Sequence, residues 1–148
     1  MNTSWVIVTD STRARIFEKK GANEPLMEFE DLVDPAAFEN QNELEHHTRG
    51  RYHDAGTGHS HTDDPSVSPL AHQNDLFAKS IALYLDKGRK DSKFHRLYLI
   101  SSPHFLGTLR NKLGKEVNRL IENEWSEEIS DYSAADIEKF LRDKTVWH

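Results

Sequence analysis

The stretch "RLYLISSPHFLGTLRNKL", residues 96–113, decides the fold of this chain. It opens with a short apolar run, which is typical of a buried strand, and Ser-Ser-Pro ends that run. Pro103 suits the first position of a helix, and the apolar residues after it recur every three or four positions, so we predict one helix over 104–122. The stripe that should be buried against a sheet consists of Phe105, Leu109, Leu113 and Val117. A strand followed directly by such a helix favours an α/β fold.

Three strands are predicted before this unit. "WVIVT" at 5–9 is a continuous apolar run, and "ARIFE" at 14–18 alternates in polarity. The polar stretch Asp10-Ser11-Thr12 between them predicts a hairpin turn. "PLMEFEDLV" at 25–33 predicts the third strand. One face of this strand should carry Met27, Phe29 and Asp31, and the other Glu28, Glu30 and Leu32.

Helices and a further strand are predicted in the remaining segments. "NDLFAKSIALYLDKGRK" at 74–90 has the helical period, with Asn74 or Asp75 as its N-cap and Gly88 at its end. "SEEIS" at 126–130 predicts a last short strand, and Ser133 opens a terminal helix.

This order of elements implies an α/β fold with one mixed β-sheet flanked by helices. Three strands in succession indicate an antiparallel part, and the alternation that follows requires crossovers, which should be right-handed and make the other part parallel. A chain of 148 residues has the usual size of one domain. We therefore predict a single domain over 1–148.

Composition excludes several classes of protein. No run of about 18 apolar residues is present for a membrane span, and the N-terminus lacks the basic start and longer apolar core of a signal peptide, so we expect a cytoplasmic protein without membrane contact. The absence of cysteine excludes disulfides and thiolate metal sites. The net charge of −6 argues against broad nonspecific nucleic-acid binding, so RNA contact should come from a local patch such as Arg49, Arg51 and the histidines near them.

A long polar loop covers about 34–72, where prolines and glycines punctuate a stretch without a hydrophobic period. Connections of this length are usually functional or mobile. Its centre, "HDAGTGHSHTDD" at 53–64, holds three histidines, three aspartates and two glycines. That composition suits a metal site, a catalytic loop, a nucleic-acid-facing loop or a solvated connection, and composition alone leaves all four open.

The metal hypothesis rests on the histidines of this loop. In an extended chain His59 and His61 point to the same side, and further oxygen or imidazole ligands for zinc or another divalent ion lie nearby. These further candidates are His53, Asp63, Asp64 and the pair His46 and His47. Their spacing is irregular and no rigid element holds them, and histidines in polar loops are usually solvated. We therefore expect no cofactor, with zinc as the alternative.

Polar residues elsewhere have simpler roles. Asp10 could line a nuclease site at a strand end, but such a site needs several convergent carboxylates, and a hairpin turn needs the same residue type. His104 stands at the start of the long helix, where an exposed position in the first turn is the simpler reading. Arg49 and Arg51 can hold phosphate, or they can simply keep the loop soluble.

Four segments resemble a known family when taken in order. They are "VTDSTRARIFE", "RGRYHDAGTGHSHTDDP", "FAKSIALYL" and "RLYLISSPHFLGTLRNKL", and they are similar to the bacterial proteins required for attachment to host cells. The resemblance covers nearly the whole chain. Its most specific parts are the small-residue hairpin at 10–14, the Arg-Gly-Arg and Gly-rich loop, and the strand that leads into Pro-x-Phe-Leu-Gly. That family is in turn similar to the middle domain of archaeo-eukaryotic peptide-chain release factors, which implies an RNase H-like fold.

In release factors the loop between the third strand and the first long helix carries a Gly-Gly-Gln motif to the peptidyl-transferase centre. The loop at 34–72 has the corresponding position, but it reads "GTGH" at 56–59 without a glutamine, and Gln73 stands at the start of the helix. By this resemblance His59 is the candidate general base for ester hydrolysis. The candidate binding residues are Arg49, Arg51, Gly56, Gly58 and His59.

The resemblance thus implies a translation-associated module whose loop contacts ribosomal RNA or tRNA. Hydrolysis of the peptidyl-tRNA ester is the catalytic version of this hypothesis. The alternatives are a non-catalytic interaction protein with an indirect role in attachment to host cells, and a metal-binding protein that uses the His-rich loop. Catalysis and oligomeric state stay open at this point.

Overall fold

A five-stranded mixed sheet forms the centre of the molecule, in the order β3-β2-β1-β4-β5. The computed structural model describes residues 2–34 and 68–144. The strands are β1 (Ser4–Thr9), β2 (Arg13–Lys19), β3 (Met27–Val33), β4 (Arg96–Ser101) and β5 (Ile121–Ser126). The helices are α1 (Pro69–Lys90), α2 (Pro103–Lys112), α3 (Lys115–Leu120) and α4 (Ala134–Asp143).

The pairing of the strands confirms the mixed sheet. β1 pairs antiparallel with β2, and β2 pairs antiparallel with β3, as successive strands joined by short turns do. β1 and β4 are parallel neighbours, as are β4 and β5, and helical connections precede β4 and β5. The predicted hairpin at 10–12 and the predicted strand 97–100 are confirmed, whereas the RNase H-like assignment stays a prediction.

Helices cover both faces of the sheet and divide the core into two layers. On one face, the apolar side chains of α1, α2 and α3 pack on those of the strands in one cluster that contains Trp5, Ile7 and Leu99. On the other face, α4 packs on a smaller cluster that contains Val6, Val8 and Tyr98. The stripe predicted to be buried is buried, with exposed fractions of 1% at Phe105, 0% at Leu109, 7% at Leu113 and 1% at Val117.

The predicted single helix over 104–122 is wrong. It is two helices, because Leu113 leaves helical geometry at ψ 137° and Gly114 serves as the N-cap of α3. Ile121 already belongs to β5. The apolar stripe keeps its spacing across the break, and for that reason the periodicity gave no sign of it.

The predicted strand 126–130 is also wrong. β5 ends at Ser126, and Ile129 is buried in the α4-side cluster without belonging to a strand. β5 is an edge strand whose residues are half-buried or exposed, so its sequence lacks the apolar run of the central strands. The terminal helix is confirmed, and the Ser133 hydroxyl caps it by accepting from the Asp136 amide.

α1 is longer at both ends than the sequence predicts. Its N-cap is Ser68, whose hydroxyl accepts from the Ala71 amide, so residues 69–72 belong to the helix and Asn74 and Asp75 lie inside it. Gly88 is likewise inside the helix, which ends at the C-cap Asp91. A Cβ on Gly88 would lie 2.7 Å from the Trp5 ring, so this glycine serves close packing and does not end the helix.

A β-bulge corrects the predicted faces of β3. The register shifts between Ile16 and Phe17 of β2 and leaves Phe29 without a partner. Phe29 turns towards the α1 side, where its ring centroid lies 5.1 Å from that of Trp5, while Asp31 stands opposite Arg15 on the other face. Bulges commonly re-aim a side chain in this way.

Candidate functional site at the carboxyl edge of the sheet

The carboxyl ends of β1, β3 and β4 meet at one edge of the sheet, which we call the carboxyl edge. In open α/β sheets this edge is where ligands usually bind. The ends of the strands are tied by backbone hydrogen bonds: the Ser102 amide donates to the Thr9 carbonyl at 3.2 Å, and the Glu127 amide donates to the Ser101 carbonyl at 2.9 Å. These bonds fix the strand ends relative to one another, so polar side chains at this edge are attached to a rigid backbone.

Asp10 is the centre of a hydrogen-bond network at this edge. One carboxylate oxygen accepts from the amides of Thr12 at 2.8 Å and Arg13 at 3.0 Å and from the Thr12 hydroxyl at 2.8 Å. The other accepts from the Ser130 hydroxyl at 2.6 Å. These bonds confirm the turn role of Asp10 and extend it, because Ser130 is tied to the hairpin across the fold.

The pKa of Asp10 reflects two opposing effects. Partial burial disfavours the charged carboxylate, but the hydrogen bonds from Ser130, Thr12 and Arg13 outweigh it, so the pKa lies below its ordinary value of 3.8. Asp10 is therefore an anion at neutral pH and a structural acceptor, not a proton donor.

Two further polar residues lie at the carboxyl edge, one directly after β3 and the other in the first part of α1. Asp34 follows β3, and its amide donates to the Thr12 carbonyl at 2.9 Å. Its carboxylate accepts from the Gln73 side-chain amide of α1 at 3.5 Å, and both residues are buried. This contact brings the start of α1 to the end of β3, so the two ends of the segment 35–67 are held at the carboxyl edge.

The sequence signal for the Asp34–Gln73 pair is weak but present. Gln73 lies four residues before Phe77 on the apolar side of α1, and a polar amide on an apolar stripe requires a partner. Nothing local points to Ser130, which is 120 residues from Asp10.

The predicted binding and metal residues lie outside the described ranges. These are Arg49, Arg51, Gly56, Gly58 and His59 for binding, and His53, His59, His61 and Asp63 for a metal, together with His46, His47 and Asp64. Their roles stay predictions, as does His59 as a catalytic base. His104 is exposed in the first turn of α2, as expected. Within 2–34 and 68–144 no three histidine or acidic side chains come together as metal ligands would.

Replacing Asp10 by alanine should lower the free energy of unfolding by about 2 kcal/mol at pH 7, because four donors lose a charged acceptor. The folded-state pKa is depressed, so the contribution of Asp10 is complete above its ordinary value of 3.8 and is lost as the pH falls through the folded-state pKa. Urea unfolding from pH 7 to pH 2.5 measures the free energy of unfolding of the parent and of Asp10→Ala. The difference between the two free energies should become smaller below pH 3.8.

The matched control for this prediction is Ser11→Ala in the same turn, whose hydroxyl makes no hydrogen bond within the described structure. It should change the free energy of unfolding by less than about 0.5 kcal/mol. An Asp10→Ala effect that stays constant down to pH 2.5 would contradict the role of the ionised carboxylate.

None of the helices in residues 2–34 and 68–144 has the length together with the apolarity needed to span a lipid bilayer. A comparison with solved structures finds similarity to the crystal structure of an archaeal translation termination factor, aRF1, with 9% sequence identity and a TM-score of 0.48. The match covers 98% of this chain and 40% of the length of that chain. A comparison with curated proteins finds no match.

A family model described as "Protein required for attachment to host cells" matches residues 5–141. The matched range runs from the first strand to the last helix and so includes the whole sheet and the carboxyl edge. This confirms the family resemblance that the four sequence segments predicted. The chain belongs to the family of proteins required for attachment to host cells.

Proposed function

We propose that this protein is an RNA-directed recognition module that uses the segment 35–67 to contact ribosomal RNA or tRNA. The observation that carries the proposal is the anchoring of both ends of this segment at the carboxyl edge, through the Asp34–Gln73 contact and the Ser68 cap. A segment held at both ends presents its side chains from one place on a rigid base, as recognition loops do.

The side chains of the segment suit a phosphate-bearing partner. Arg51 and Arg49 offer planar donor forks that match phosphate oxygens, and Gly56 and Gly58 permit close approach of the backbone. His59 gains a proton more readily when a phosphate lies nearby.

The charge of the segment makes the proposed binding dependent on pH. Residues 35–67 contain six acidic residues, two arginines and five histidines, so the segment is an anion when the histidines are neutral. Protonation of all five histidines reverses this charge, because the cationic side chains then outnumber the acidic ones. RNA binding should therefore strengthen as the pH falls from 8 to 6 and weaken as salt rises.

Sedimentation of the full chain with ribosomes at several salt concentrations tests the proposal. We expect co-migration at low salt that is lost at high salt, and its loss in the variant Arg51→Ala, His59→Ala, Gly56→Ala, Gly58→Ala. The thermal midpoint should stay nearly unchanged, since none of these substitutions removes a large apolar side chain. A control of similar composition changes Arg119, His95 and Gly107 to alanine, and it should bind as the parent does.

The outcomes separate the alternatives. No co-migration of the parent at low salt overturns the RNA proposal and favours the non-catalytic interaction protein. Release of peptide from peptidyl-tRNA by the parent, but not by His59→Ala, would make the module a hydrolase. A thermal midpoint that falls on addition of a chelator, with one zinc ion measured per chain, would identify the segment as a metal site.

A further inference from the structure

A pocket of about 330 Å³ opens on the α1 side of the sheet near the start of β1, away from the carboxyl edge. Its volume lies at the lower end of the range, roughly 300–1,000 Å³, in which small organic ligands bind. β1, β2 and β3 contribute to its wall, as does the last part of α1. We call it the Trp5 pocket.

Aromatic rings form most of the apolar wall. Trp5 is buried, and its ring packs against Phe94 at 4.6 Å between centroids. Phe29 and Tyr84 lie against the same ring at 5.1 and 5.9 Å, and Phe29 keeps 43% of its surface exposed. The β-bulge of β3 places Phe29 there, so an irregularity of the strand supplies one wall of the pocket.

The charges at the rim are balanced but not all paired. Lys87 and Asp91 form an ion pair at 3.0 Å within α1 and its C-cap, so they neutralise each other. Glu18 and Lys93 also line the pocket, and neither has an ion-pair partner within the part of the chain that the structure describes. The rim therefore offers one anion and one cation beside an aromatic wall.

We propose that the Trp5 pocket binds a free aromatic amino acid. Its ring packs against Phe29 and Tyr84, its ammonium group pairs with Glu18, and its carboxylate pairs with Lys93. Offset or edge-to-face packing of aromatic rings adds to the gain from burial. A zwitterion matches an unpaired acid and an unpaired base at once, whereas a nucleotide or a simple cation leaves one of them opposed or unpaired.

Titration of the full chain with L-phenylalanine tests the proposal. We expect saturable binding with a Kd of roughly 0.1–1 mM, the affinity expected for a ligand of this size. In ¹H–¹⁵N spectra the indole N–H signal of Trp5, assigned with Trp5→Phe, should shift on binding. Phenylpropionate lacks the ammonium group and L-phenylalanine amide lacks the carboxylate, and each should bind more weakly, by about threefold to tenfold.

Substitutions test whether the ligand binds in the pocket or elsewhere on the surface. Phe29→Ala should weaken binding about tenfold, and Glu18→Gln and Lys93→Gln about threefold to tenfold each. The matched control is Met27→Ala on the same strand, because Met27 is 58% exposed and does not line the pocket. It should leave the Kd unchanged.

Any one of the following results overturns the proposal: no saturable shift up to 10 mM L-phenylalanine, equal binding of phenylpropionate and L-phenylalanine, or equal loss in Phe29→Ala and Met27→Ala. Tighter binding of N-acetyl-phenylalanine amide than of the free amino acid does so too, because it would assign the pocket to a residue within a peptide chain. The proposal does not depend on RNA binding.

Discussion

Leu109→Ala is expected to lower the free energy of unfolding by about 3–4 kcal/mol and the thermal midpoint by roughly 10 °C. Leu109 is fully buried in the cluster between α2, α1 and the sheet. Truncation there loses the burial of the side chain and leaves a cavity that surrounding residues fill only in part. Urea unfolding followed by circular dichroism measures the change.

The matched control is Leu83→Ala on α1. Leu83 is 62% exposed, so the same chemical change removes little buried surface and should alter the free energy of unfolding by less than about 0.5 kcal/mol. Equal effects of the two substitutions would contradict the orientation of α2 on the sheet.

Arg15→Met is expected to have the second-largest effect, a loss of about 2–4 kcal/mol. The buried guanidinium forms a two-bonded ion pair with Glu28 at 2.9 and 2.8 Å. It also donates to the carbonyls of Ser130 at 3.0 Å and Tyr132 at 2.6 Å. Methionine fills a similar volume but leaves two carbonyls and the Glu28 carboxylate, whose side chain is 29% exposed, without this donor. Water can replace the donor only in part, and acceptors left without a partner are costly.

Arg13→Met serves as the comparison for Arg15. Arg13 pairs with Asp31 at 2.6 Å on the same two strands, but both side chains are about 40% exposed. Water can replace that partner, so the expected loss is below about 1 kcal/mol. Urea unfolding at low and high salt measures the loss in free energy of unfolding for Arg15→Met and for Arg13→Met. The ratio of these losses shows how much burial strengthens the contacts of Arg15. Losses that are similar and equally sensitive to salt would contradict the buried role of Arg15.

The central strands could be predicted from the sequence because burial on both faces leaves a continuous apolar run. β1 and β4 show this run, and the turn residues after β1 predict the hairpin. β5 lies at the edge and lacks such a run, so its position was predicted wrongly. The periodicity does not show the break at Leu113 and Gly114, because Leu113 and Val117 keep helical spacing across it.

The site could be predicted only where its partners are close in the chain. Asp10 accepts from Thr12 and Arg13 in its own turn, and that role is visible in the sequence. The Ser130 and Gln73 contacts join residues far apart in the chain, and periodicity carries no information about such pairs. Pro69 directly follows Ser68 and is typical of a helix start. The prediction instead relies on the apolar residues of the helix, the first of which in the stripe is Phe77.

The bulge in β3 also bears on self-association. β3 is an edge strand, and exposed sheet edges are templates for pairing between copies of a chain. Two copies that met along β3 would bring the run Glu28 to Asp31, with its three carboxylates, against its own counterpart, and the bulge at Phe29 would interrupt the new ladder. The opposite edge, β5, carries Glu122 and Glu124. The bulge at Phe29 therefore has two effects. It turns the Phe29 ring into the Trp5 pocket, and it hinders growth of the sheet into a fibre.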